Sequence, residues 1–178
     1  MATVPVTRTW VAGEVVLASH FNSNIRDVLN YLLSPPILEI YQSVAQTLTT
    51  SVVSPITMTS EVVDSSGMHS TSSDTSRAVA VYPGYYVFAG SIAFTGSAAG
   101  NRVLQWQKNG SASIASADAT FPPWSASVNI YNLRTKLIFL NVGDYVESMG
   151  YQDSGGNLLT VASPVDVSSG MTAFWKSN

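Results

Sequence analysis

From Ile37 to Asn178 the chain is a succession of short runs rich in Val, Ile, Thr, Tyr and Phe, each closed by a cluster of Gly, Pro, Asn, Asp or Ser. Many short strands at roughly regular spacing leave a sandwich or a barrel as the compact solutions. The pattern predicts strands over residues 52–59, 77–82, 85–95, 102–108, 127–140, 145–152 and 171–176, after a β-compatible stretch at 37–48. Turns are expected at Pro83-Gly84, Asn109-Gly110, Val142-Gly143-Asp144 and Ser154-Gly155-Gly156-Asn157. Asn109-Gly110 is the sharpest of these, because Asn-Gly suits a two-residue hairpin turn. Pro122-Pro123 marks a loop carrying Phe121 and Trp124, and residues 65–76, small and polar, read as a mobile surface loop. The expected fold class is all-β.

One segment breaks this texture. Residues 19–33, SHFNSNIRDVLNYLL, read as a helix that Pro35-Pro36 cannot continue. Ser19 is the expected cap. Phe21, Ile25, Val28 and Leu32 fall at i, i+4, i+7 and i+11, a narrow apolar seam of the kind that packs on copies of itself. A short helix alone in water is marginal, since nucleation costs more than a few turns return. Ahead of it, residues 1–16 alternate apolar and polar side chains and read as an extended arm. Its apolar anchors are Trp10, Val11 and Val15, with Val16 beside them. Either Trp10 folds back on its own domain or the arm docks on another protein; a free arm of this composition would expose a costly surface. The expected division is an arm and self-packing helix at 1–36 and a head domain at 37–178.

Composition narrows the classes. Charged residues are only 11% of the 178, below the ~25% of ordinary soluble domains, while apolar residues are 46%. Mean hydropathy is +0.18. No apolar run approaches the ~20 residues of a membrane helix, so no membrane insertion is expected. Sparse charge without a span suggests surface buried between subunits. With no cysteine, disulfides and thiolate chemistry are excluded. Met1–Pro5 lacks the basic start and apolar core of a signal peptide. The eight basic residues are scattered, and the net charge is −3, so nucleic-acid binding is not expected.

The order of the strand motifs resembles a known family. Pro83-Gly84-Tyr85-Tyr86-Val87-Phe88 is followed by Gln105-Trp106-Gln107-Lys108-Asn109-Gly110, then by Leu140-Asn141-Val142-Gly143-Asp144-Tyr145-Val146, and the chain closes on Phe174-Trp175. This series is similar to the TNF-like jelly roll of complement globular heads and many bacteriophage fibre tips, over about residues 37–178. Unlike the animal members, the chain has no cysteine and no collagen-like stalk, which weakens the carry-over of a complement-type ligand. The resemblance implies a homotrimer. The front end has its own likeness: Arg8-Thr9-Trp10-Val11-Ala12-Gly13-Glu14-Val15-Val16, with Asn22, Ile25-Arg26-Asp27 and Leu29, resembles the leader of small phage virion proteins found in tails, fibres and decoration proteins. That likeness implies a virion without naming the place in it.

The residues for chemistry are few. His20 and His69 are the only histidines. His69 lies near Asp64 and Asp74 among many serines, but no G-x-S-x-G elbow supports a triad. Glu61, Asp64 and Asp74 are the only locally clustered carboxylates. Two distant histidines without cysteine make no recognisable zinc pattern, and Asp144, Asp153 and Asp166 match no EF-hand spacing. Asp144 reads as a turn residue. No phosphate-cradling loop is present. Asn109-Gly110-Ser111 formally matches a glycosylation acceptor, but reads as the hairpin turn. No cofactor, metal or catalytic residue is expected. Sugars bind on aromatic faces, so Trp124 and Tyr131 are the candidate ligand surface, while Trp106 and Trp175 read as core or axis residues.

The two resemblances together imply a structural virion protein rather than an enzyme, and the expectation is a homotrimeric particle-surface appendage. Its arm would bind capsid or tail proteins and its jelly roll would contact a host cell-surface glycan or protein. The alternative is a capsid or tail decoration protein that stabilises the particle. A third reading, a glycan-degrading enzyme, would require a carboxylate pair in a groove.

Overall fold

The computed structural model describes residues 4–111, 114, 119–122, 124–162 and 167–177; of residues 119 and 124–127 it describes the backbone alone. A helical segment opens it: α1 at Ala18–Phe21, a π-helical turn at Asn22–Arg26 and α2 at Asp27–Leu33. Twelve strands follow: β1 (Ile37–Tyr41), β2 (Thr47–Leu48), β3 (Ser54–Pro55), β4 (Ser60–Asp64), β5 (Arg77–Val79), β6 (Gly84–Ser97), β7 (Arg102–Lys108), β8 (Ala119–Phe121), β9 (Trp124–Leu140), β10 (Tyr145–Gln152), β11 (Leu158–Leu159) and β12 (Gly170–Ser177).

The strands form two five-stranded antiparallel sheets. The first runs β4-β1-β12-β6-β9; the second runs β3-β10-β7-β8, with β5 also on β10. A small β11-β2 pair lies beside them. Alternation sets the two faces of the first sheet. On β12 Met171, Ala173 and Trp175 are buried and Thr172, Phe174 and Lys176 are exposed. The inward set meets Leu104 and Trp106 of β7 and Val146 of β10 in one core. Trp106 ties the layers together, its indole N–H donating to the Arg134 carbonyl at 2.7 Å. That carbonyl lies where the β6–β9 register shifts, between Phe88/Lys136 and Gly90/Leu133, and a bulge frees backbone groups from the ladder.

Strands β7 and β10 have the bounds their patterns predict, and β6, β9 and β12 exceed theirs by a few residues at the ends. The 52–59 expectation is mostly wrong: only Ser54–Pro55 pairs, because the amides that follow go to different partners, Ile56 to the Ser148 carbonyl of β10, Met58 to that of Thr75 and Thr59 to that of Tyr41. Strand β4 was not legible. Its burial pattern shows no alternation at a sheet edge. The 65–76 loop is pinned rather than loose in its bonding. Met68 is fully buried, and the Asp64 carboxylate accepts the amides of Ser66, Gly67 and His69.

The Asn109-Gly110 turn forms as its residues demand. Both take positive φ (53° and 66°), and the Ser111 amide closes on the Lys108 carbonyl at 3.0 Å. Gly84 is required for a different reason. A Cβ there would lie 2.5 Å from both the Ser177 carbonyl oxygen and the Trp175 indole nitrogen, on a backbone at φ +140°. Its absence lets the Trp175 indole reach the Pro83 carbonyl at 3.0 Å.

Candidate functional site

The helical segment starts one residue earlier than expected, at Ala18 after Leu17, and Ser19 does not cap it. Its middle is not α-helical. The Asp27 amide donates to the Asn22 carbonyl, the i→i−5 bond of a π turn. Two side chains serve carbonyls nearby: Ser23 Oγ bonds the Ser19 carbonyl at 2.9 Å, and Asn24 Nδ2 bonds that of His20 at 3.0 Å. A π turn takes an extra residue, so everything after it rotates relative to Phe21. The seam expected at Phe21, Ile25, Val28 and Leu32 is therefore not straight. Val28 turns half-buried, whereas Leu29 and Leu33 join Phe21, Ile25 and Leu32 as exposed apolar side chains, Leu33 at 81%.

Tyr31 holds this segment to the head. Its ring stands edge-on to Trp175 and Tyr82, at centroid distances of 4.8 and 5.1 Å. Burial pushes its phenol well above the ordinary tyrosine value, with Tyr86 and Tyr82 adding to the shift, and its hydroxyl is buried without a partner. The Trp175 amide also donates to the Pro36 carbonyl at 2.9 Å. The helix thus joins the head through the Tyr31 ring and the Pro36 carbonyl.

From Arg8 to Val16 the arm folds back on the helix, with Trp10 as its contact. Trp10 packs against His20 and Phe21, with ring centroids 6.0 Å apart in each case, and remains 39% exposed. Arg8 pairs with Glu14 and lays its guanidinium 4.8 Å from the Trp10 ring centre. A turn centred on Gly13 (φ 83°) brings the Glu14 amide to the Val11 carbonyl and the Glu14 carboxylate to the Val11 amide. Val11 and Val15 point to solvent, as do Val6, Val16 and Leu17. The Trp, Gly and Glu of the leader pattern are thus what shape this turn. Val4 reaches the head and packs on its core.

The outer face of the first sheet carries a second apolar surface. Ile37, Phe174, Val87 and Leu137 are paired neighbours across four adjacent strands and share one face. Leu137 is 58% exposed. The pair Tyr85–Phe139 extends the patch, with rings edge-on at 5.2 Å. Farther from the helix this face turns polar, where Glu39, Thr172, Ser91 and Asn132 line a shallow groove.

Of the two candidate ligand aromatics, the described residues include the side chain of Tyr131. Tyr131 is half-buried and stacks on Phe121 at 4.6 Å, its hydroxyl donating to the Pro122 carbonyl at 3.1 Å. Phe121 ends β8 and Trp124 begins β9; the Trp124 side chain lies outside the described residues, as does Asp166. Trp106 and Trp175 are both buried. Among the described residues no group of three or more His, Asp or Glu is placed to hold a metal. Asp153 Oδ1 accepts the Asn101 amide, and Asp144 closes its turn on Asn141. No helix of the described residues is long and apolar enough to cross a membrane.

No protein-family model and no curated protein matches the chain in sequence. Solved structures match its shape. Murine APRIL at pH 5.0 superposes with a TM-score of 0.56 at 10% identity, over 79% of this chain and 98% of that one. Murine APRIL at pH 8.0 gives 0.55 at 11% identity with the same coverage. Eiger TNF from S. frugiperda gives 0.56 at 9% identity, over 82% of this chain and 95% of that one. The fold is a TNF-like jelly roll. At these identities the likeness concerns the fold alone.

Proposed function

We propose that the chain is a structural bacteriophage virion protein, a homotrimeric surface appendage of head-fibre, tail-fibre or decoration type. It works on the particle surface without catalysis. Residues 1–36 attach it and gather three copies, and the jelly roll at 37–178 is displayed toward the host cell. The observation that carries the reading is the helical segment: no described residue in it is buried, yet it exposes five large apolar side chains beside a charge-poor head. The leader pattern supports the virion, and the apolar rung of the first sheet supports association between heads. Three linked heads turn a weak contact with a cell-surface glycan or protein into firm attachment.

Two measurements test this. Native mass spectrometry of the full chain at micromolar concentration is expected to show a trimer, and a stable monomer would sink the proposal. Antibody labelling of particles is expected to mark the virion surface, while label confined to the lysate would remove the virion reading. A uniform capsid or tail lattice of label, with no loss of adsorption when the antibody is bound, would favour the decoration alternative.

A further inference from the structure

We propose that His69 is a proton-dependent clip that holds the 65–76 loop to strand β4. Its side chain is fully enclosed. Both ring nitrogens face acceptors: Nδ1 meets the Glu61 carboxylate at 2.8 Å, and Nε2 meets the Thr75 carbonyl at 3.0 Å. A neutral imidazole carries one N–H and one lone pair, so it can satisfy only one of these. The imidazolium, with two N–H groups, satisfies both. Losing either proton leaves a lone pair of an enclosed ring aimed at an acceptor oxygen, a costly arrangement for a buried polar group and most so toward the Thr75 carbonyl, since the Glu61 carboxylate keeps some contact with water.

The surrounding groups are spoken for. Asp64 of β4 accepts the His69 amide at 2.9 Å with its second oxygen, while its first takes Ser66 and Gly67. At the far end of the loop Arg77 pairs with Asp74 at 2.9 Å, lies 3.7 Å from Glu147 of β10 and covers the Tyr145 ring. Ser76 donates to Glu147 at 2.6 Å. Glu61 is thus the carboxylate that meets the ring, and it also lines the polar groove of the first sheet. The proton on His69 therefore sets both the closure of the loop and the orientation of an acidic group at that groove. Histidine is the side chain whose ordinary charge change falls between about pH 5 and 8.

The test is nuclear magnetic resonance on the full chain across that range, reading the ring nitrogen shifts of His69 and amide exchange. At the acid end both ring nitrogens are expected to be protonated. As the ring loses its proton, protection of the Met58 and Val79 amides, which bond the Thr75 and Met68 carbonyls, should fall by about fivefold, one lost hydrogen bond. Core amides paired between β6 and β12 serve as the reference for intrinsic exchange and should not follow. A ring that is singly protonated throughout, or loop protection that tracks the core amides across the titration, overturns the clip. Both readouts come from the native protein, so neither depends on a variant that folds.

Discussion

At Asp144 a single carboxylate closes one end of the second sheet. It accepts Lys108 Nζ at 2.7 Å, Asn109 Nδ2 at 2.8 Å and the Asn141 amide at 2.8 Å. Burial alone would raise its pKa. The hydrogen bonds from Lys108, Asn141 and Asn109, with the Lys108 charge, outweigh burial and bring it down to about 2. A carboxyl depressed on folding stabilises the fold above its unfolded value near ~4 and loses that contribution as pH falls toward the folded one. Asp144→Asn is therefore expected to cost about 1–2 kcal/mol near neutrality. The difference from wild type should shrink in urea melts at about pH 3 and below. A constant difference over that range would count against the assignment. The turn itself was readable, since Gly143 followed by Asp announces it. The lysine was not, because Lys108 reaches Asp144 only once β7 and β10 pair.

Elements show where a periodic pattern misleads. The apolar spacing at Phe21, Ile25, Val28 and Leu32 assumes an unbroken α-helix, and the Asn22–Arg26 π turn removes that assumption. Nothing in the apolar pattern marks the turn. Its trace lies in the polar run Asn22-Ser23-Asn24, where Ser23 and Asn24 bond carbonyls of the preceding turn. The proposed self-packing surface accordingly comprises Phe21, Ile25, Leu29, Leu32 and Leu33, and Val28 leaves it. Leu29→Glu is expected to raise the trimer dissociation constant at least about tenfold, the loss of a buried leucine contact replaced by a charge. Val28→Glu should change it by much less. Sedimentation equilibrium of the two variants checks this, and the reverse order would restore the unbroken seam. Nothing in the local pattern marks Tyr31 as an anchor either, because its partners Tyr82 and Trp175 lie far along the chain.

At the scale of the whole molecule the proposed assembly has two apolar surfaces to cover, one on the helix and one on the sheet. If heads as well as helices meet, Leu137→Asp in the Ile37–Phe174–Val87–Leu137 rung should weaken association by a similar order, about tenfold. Its melting as an isolated fold should scarcely change, since the side chain is mostly exposed. Circular dichroism alongside native mass spectrometry separates the two effects. Association unchanged in this variant and lost in Leu29→Glu would place the whole interface on the helix.

The sequence by itself determined the class of the fold, the central strands, the turns at Asn109-Gly110 and Val142-Gly143 and the helix stop at Pro35-Pro36, whereas Gly84, expected in a turn, opens strand β6. These depend on local chemistry: alternation, positive φ and a missing amide act within a few residues. The tertiary structure alone decided the strand order β4-β1-β12-β6-β9, the fold-back of Trp10 onto His20 and Phe21, and the enclosure of His69 between Glu61 and Thr75. Each of these is a meeting of residues separated along the chain. Such meetings are set by which faces must leave water together, and no local pattern carries that information.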